Sequence, residues 1–174
     1  EGAGAAAARE GLCGREAWGL QTILARGRVG VRALPAVPRT PRADGLLAAF
    51  DHQLPFTLTA GQQDVGATVA ADLARSHPMH RLLQGEVGSG KTVVAVRAML
   101  TVVDAGGQAA LLAPTEVLAQ QHARSIAAML GPLGEAGMLG HDGPGTQLTL
   151  LTGSMSTKAR RQALYSVYIE EEVV

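Results

Sequence analysis

The sequence predicts an α/β fold built on a parallel sheet, and three observations predict it. Short apolar runs suited to strands, at Arg81–Gln84, Ala109–Ala113 and Gln147–Leu151, alternate with segments of helical periodicity. The middle run, Ala109-Ala110-Leu111-Leu112-Ala113, is uninterrupted by polar residues, as a strand covered on both faces requires. The first run leads into Gly85-Glu86-Val87-Gly88-Ser89-Gly90-Lys91-Thr92, which reads G-x-x-x-x-G-K-T and opens a helical pattern. Strand, loop and helix in that order form the context in which this pattern cradles phosphate.

The chemistry of the loop follows from its residue types. Gly85, Gly88 and Gly90 let the backbone curl so that its N–H groups face phosphate oxygens, and Glu86, Val87 and Ser89 supply further N–H groups. The helix that begins at the loop adds the positive end of its dipole. Lys91 supplies a point charge for the outer phosphates, and the Thr92 hydroxyl is a ligand for Mg²⁺. The expected ligand is a nucleoside triphosphate with its magnesium ion.

The remaining elements follow in order. Residues 1–44 read as a low-complexity Ala/Gly start, a weak helix over Arg15–Arg32 containing the only Trp, Trp18, and a linker with Pro35, Pro38 and Pro41. Residues 45–167 read as the nucleotide-binding domain and 168–174 as an acidic tail. Asp44 is the expected cap of a short amphipathic helix, Gly45 to His52, with Leu46, Leu47 and Phe50 on its apolar side. Thr59 opens a helix carrying Val65, Val69 and Leu73, which ends before Pro78. Lys91 to Asp104 forms the loop's helix, stopped at Gly106-Gly107. Pro114-Thr115 turns the chain into a helix from Glu116 to Leu130, ended by Gly131, and Ser156 or Thr157 caps a last helix to about Val167.

Composition bounds the classes. The 174 residues suit one domain, and 47% hydrophobic residues suffice for a core. With only 3% aromatic residues, that core is expected to be aliphatic. Net charge is zero, so bulk charge argues neither for nor against nucleic acid, although seven Arg against three Glu precede Ala43. A single Cys, Cys13, excludes an internal disulfide and a cysteine zinc site, which fits a reducing, cytoplasmic setting. No run of about 18 apolar residues is present, so no membrane partner is expected. His77-x-x-His80 has metal-like spacing, but Pro78 breaks the helix that would align the pair. Neither Asp51 nor Asp104 stands where a second, metal-holding acid would follow the loop.

Three further stretches can carry chemistry. In Phe56-x-Leu58-Thr59-x-x-Gln62, Gln62 can bond an adenine edge with Phe56 against the base; a capping box explains the same residues and is compatible with that role. Pro114-Thr115-Glu116 sits at a helix N-terminus and can grip a nucleic-acid phosphate, or simply cap the helix. Thr152-Gly153-Ser154 offers hydroxyls and a close-approach glycine to a second phosphate, or forms a plain turn. Lys158, Arg160 and Arg161 just beyond add phosphate charge or form a solvated face.

Taken together, these stretches resemble the first motor domain of the RecG family, bacterial ATP-dependent DNA helicases of superfamily two. LPFTLTAGQ resembles the family's Q motif and MHRLLQGEVGSGKTVVA its motif I, with Glu86 where Asp is usual. LLAPTEVLAQQHA resembles motif Ia and LLTGSMSTKARRQAL motif Ib. The resemblance runs from Leu46 to about Tyr165, with the motifs in order, and the Arg15–Arg42 region is similar to the family's helical linker. It implies a RecA-like motor domain that binds ATP·Mg²⁺ and contacts the backbone of branched DNA at forks and Holliday junctions, in repair and recombination. A monomer is favoured. The family's wedge domain, D-E-x-H box and second motor domain with its arginine fingers have no counterpart here. The chain is therefore expected to be a truncated motor domain with little turnover of its own. A translocase like transcription-repair coupling factor shares much of motifs I and Ia. A P-loop protein without DNA activity and an inert remnant are further alternatives.

Overall fold

The computed structural model describes residues 34–135 and 144–168. The helix expected over Arg15–Arg32, Trp18, Cys13, the acidic tail beyond Tyr168 and part of the glycine-rich connection after Gly131 lie outside them. Five α-helices are present among the described residues: α1 Leu46–Gln53, α2 Ala60–Leu73, α3 Lys91–Asp104, α4 Glu116–Leu130 and α5 Thr157–Tyr168. A short 3₁₀ turn, Gly131–Gly134, continues α4.

The helix starts have separate physical causes. Thr59 caps α2 through a full capping box with Gln62. Thr115 caps α4 by accepting from the Leu118 N–H at 3.3 Å, and Ser156 accepts from Ala159 at the start of α5. The start of α1 corrects the sequence expectation. Its cap residue is Gly45, which has no side chain, and Asp44 makes no cap bond. The orphan N–H of Leu46 instead donates to Asp104 Oδ1 at 3.1 Å, so the cap arrives from 58 positions away. Gly45 suits this approach, because a Cβ there would lie 2.2 Å from the Asp104 carboxylate oxygens.

Helix α3 is the spine of the packed core. Its Val93, Val94, Val96 and Leu100 are buried with Leu46 and Phe50 of α1, Ile126 and Leu130 of α4, and Leu133 of the 3₁₀ turn. Helix α2 packs on α3 through the half-buried Val65. The core is aliphatic as composition demands, with one exception at its centre: Phe50 is fully buried. The linker is docked. Ala36 and Arg39 donate their backbone N–H groups to Ser76 and Leu73, and Arg39 Nη1 donates to the Ala105 carbonyl at 2.9 Å.

The expected strands are the principal difference. Among the described residues no strand ladder forms; Arg81–Gln84, Ala109–Ala113 and Gln147–Leu151 carry no regular pairing beyond a single antiparallel bridge between Glu135 and Gln147. Leu82 is 85% exposed and Leu112 93%. The physical reason is that a strand, unlike a helix, takes its hydrogen bonds from another segment, and among the described residues these three form no such ladder.

Candidate nucleotide and phosphate site

The glycine-rich loop turns tightly between Glu86 and Ser89, whose N–H donates to the Glu86 carbonyl at 3.2 Å. Gly88 and Gly90 have φ values of 82° and 81°, a left-handed backbone that side chains resist. At Gly90 space is decisive as well, since a Cβ would lie 2.3 Å from Gln62 Nε2. Immediately after this bend α3 begins, with Gly90 as its cap and no side-chain partner for the first turn. Lys91 folds back into the loop, and its ammonium donates to the carbonyls of Gly85 at 2.8 Å and Glu86 at 2.6 Å. Residues Gly85 to Ser89 are exposed, while Thr92 is half-buried beside the loop on α3. The glycine-rich backbone, the Lys91 ammonium and Thr92 thus lie together at the start of α3, residue types suited to a polyphosphate.

Gln62 joins this loop to the start of α2. Its Oε1 accepts from the Thr59 N–H at 2.9 Å, and its Nε2 donates to the Ser89 carbonyl at 3.0 Å. The side chain is therefore engaged at both ends, with one donor and one lone pair left for a ligand. Phe56 is 50% exposed. It lines an open cleft of about 530 Å³ together with Asp51, Leu54, Thr57, Leu58 and Arg97. Two of its lining residues form a two-pronged Arg97–Asp51 pair at 2.7 and 2.8 Å. Sequence reading missed this pair, because 46 positions separate its members and neither belongs to a local motif.

The two other stretches come together on one surface. Ser154 donates its N–H to Glu116 Oε1 at 2.7 Å across 38 positions of chain. The Ser154 side chain, its N–H and then the Gly153 N–H hold the Glu116 carboxyl below the usual carboxylate range. Thr152 is buried, and its hydroxyl lies 3.4 Å from that of Ser154. Pro114, Thr115 and Gly153 are exposed beside them, as are Lys158, Arg160 and Arg161 on α5. Among the described residues no cluster of three metal-ligating side chains is present, at His77 and His80 or elsewhere. No helix among them is long and apolar enough to cross a membrane.

The ATP-dependent DNA helicase RecG of Mycobacterium leprae (strain TN) is 49% identical over 161 residues, which is 92% of this chain and 22% of that protein. The RecG helicase of Mycobacterium tuberculosis (strain ATCC 25618 / H37Rv) is 52% identical over 155 residues, 89% of this chain and 21% of that protein. Among solved structures, RecG bound to a three-way DNA junction is similar with a TM-score of 0.66 and 31% identity, across 79% of this chain and 17% of that one. The chain spans about a fifth of the length of these relatives. The family model for DEAD/DEAH box helicases matches residues 61–170, from the start of α2 through the glycine-rich loop and the turns at Thr115 and Gly153. That match implies a RecA-like P-loop fold and the use of ATP. On these grounds the chain belongs to the DEAD/DEAH box helicase family.

Proposed function

We propose that this chain is the nucleotide-binding part of an ATP-dependent DNA helicase motor acting on branched DNA. The observation that carries the reading is Lys91, whose ammonium lies inside the glycine-rich loop at the N-terminus of α3, bonded only to carbonyls that a phosphate can replace. Bound ATP·Mg²⁺ would be held by Lys91 and the loop backbone from Gly85 to Thr92 at its phosphates and by the Thr92 hydroxyl at its magnesium ion. Phe56 and Gln62 hold the base. Pro114, Thr115, Glu116, Thr152, Gly153 and Ser154 form the surface for a DNA backbone. The three apolar segments Arg81–Gln84, Ala109–Ala113 and Gln147–Leu151 supply strands of a parallel sheet in the complete motor. A cytoplasmic location accords with a role on DNA, and the similar structure solved on a three-way DNA junction supports branched DNA as the substrate.

Two measurements test this. ATP·Mg²⁺ at about a hundred times its dissociation constant stabilises the chain by about 2.7 kcal/mol in thermal unfolding. Forked DNA is retained in filter binding with an affinity that falls steeply as salt rises. No melting shift overturns the nucleotide site. A shift without DNA retention identifies a nucleotide-binding protein that does not act on DNA.

A further inference from the structure

The Gly153–Ser154 turn already holds an anion. Glu116, the first residue of α4, reaches across to it, and its Oε1 receives the Ser154 N–H at 2.7 Å. A Cβ built on Gly153 would stand 3.1 Å from the same oxygen, so the carboxylate lies directly over the glycine that permits close approach. This contact is at the surface, where burial does not force it. The carboxyl titrates below its usual value, so the group is charged throughout the neutral range.

A backbone N–H carries one hydrogen and serves one strong acceptor at a time. A DNA phosphate at this turn needs the N–H that Glu116 occupies and brings a second negative charge to the same spot. The two anions exclude each other. Glu116 also has a place to go. It sits in the first turn of α4, where the positive end of the helix favours a carboxylate and where backbone N–H groups lack partners within the helix.

We propose that Glu116 is an intramolecular stand-in for a DNA phosphate, an autoinhibitory carboxylate that occupies the Gly153–Ser154 turn until nucleic acid displaces it. The proposal rests on the DNA-binding reading above. It assigns Glu116 the role of competitor at that surface and makes the resting affinity for DNA lower than the turn alone would give. The same displacement frees the start of α4 to move relative to Thr152–Ser154 when DNA arrives.

The test compares wild type with Glu116→Gln in binding to a forked DNA duplex, with circular dichroism as the check on folding. The neutral variant binds about three- to tenfold more tightly at low salt, and the advantage shrinks as salt screens the carboxylate. Equal or weaker binding by the variant, with wild type binding, shows that Glu116 is a brace and overturns the proposal alone. Binding by neither chain overturns the DNA reading together with the proposal. A second measurement needs no variant: in wild type, the amide signals of Gly153 and Ser154 shift on DNA addition as their acceptor changes from carboxylate to phosphate. Unchanged signals at saturating DNA overturn the proposal even if the Gln variant fails to fold.

Discussion

The two ends of α3 are built in opposite ways. At the N-terminal end the loop is exposed, its bend rests on two left-handed glycines, and two side chains, Lys91 and Gln62, bond to its carbonyls. At the C-terminal end Asp104 is 4% exposed and receives the Arg42 N–H, the Arg42 guanidinium and the Leu46 N–H at 3.0–3.1 Å. A carboxylate at a helix C-terminus faces the negative end of the dipole, so its presence there needs these donors. One side chain thus ties the Arg-rich linker, the start of α1 and the end of α3 into a single knot. The contrast is instructive: an exposed, glycine-bent loop projects from a helix whose far end is tied down by three hydrogen bonds.

Breaking the fixed end has the largest effect. Asp104→Ala leaves the Leu46 N–H buried without a partner and releases Arg42, at a cost of about 3 kcal/mol. For a chain of this size that is roughly 6–12 °C in melting temperature. Acid probes the same knot. Burial pushes the Asp104 carboxyl up, but the Leu46 N–H, the Arg42 side chain and the Arg42 N–H outweigh it and hold it below its ordinary value of 3.8. A group depressed in the folded state contributes stability above its unfolded value and loses it as pH falls through the folded one. Wild type therefore loses stability as pH drops below about 4, and Asp104→Asn loses less over the same range in thermal melts. An acid profile identical to wild type would remove Asp104 from the account.

Breaking the open end has the opposite signature. Lys91→Ala removes a half-exposed side chain that bridges two loop carbonyls and is not among the core residues, so the melting curve without nucleotide moves by less than about 0.5 kcal/mol. The same change removes the ammonium from the phosphate site, and ATP·Mg²⁺ binding by calorimetry weakens by about 2 kcal/mol, some thirtyfold. Were Lys91→Ala to destabilise the empty chain as much as Asp104→Ala, the two ends would not differ as described.

What the sequence made legible divides along the same line. Helices α3 and α4 run from Lys91 to Asp104 and from Glu116 to Leu130 as their punctuation predicts, because Gly90, Thr115 and Gly131 act locally. The glycine-rich loop was legible for the same reason: its donors are contiguous. The knot was not. Asp104 meets Arg42 and Leu46 across more than 50 positions, and Asp44, the cap that local rules favour, is left aside. The turn pairing of Glu116 with Ser154 spans 38 positions, so each turn could be picked out but not their contact. Phe56 and Gln62 were picked out by a local motif, but the cleft that Phe56 lines and the 27-position bond from Gln62 to the Ser89 carbonyl were not. Strands are the extreme case. Apolar runs such as Ala109–Ala113 predict strands, but no ladder forms among the described residues, and the partner that makes a strand lies elsewhere by definition.

The smallest predicted effect sharpens the comparison most, because it acts on the link between a rigid element and the loop. Thr59 Oγ1 accepts from the Gln62 N–H at 3.3 Å, and Gln62 returns the bond to the Thr59 N–H. This reciprocal cap fixes the residue whose other end holds the Ser89 carbonyl. Thr59→Ala removes the hydroxyl and costs about 1 kcal/mol of stability. If the cap also positions Gln62, nucleotide affinity falls two- to threefold, by about 0.5 kcal/mol, and Thr59→Ser, which keeps the hydroxyl, restores both. If the cap serves α2 alone, stability falls and affinity does not. Paired melting and calorimetry on the two variants separate these outcomes, and only the first makes α2 part of the phosphate site.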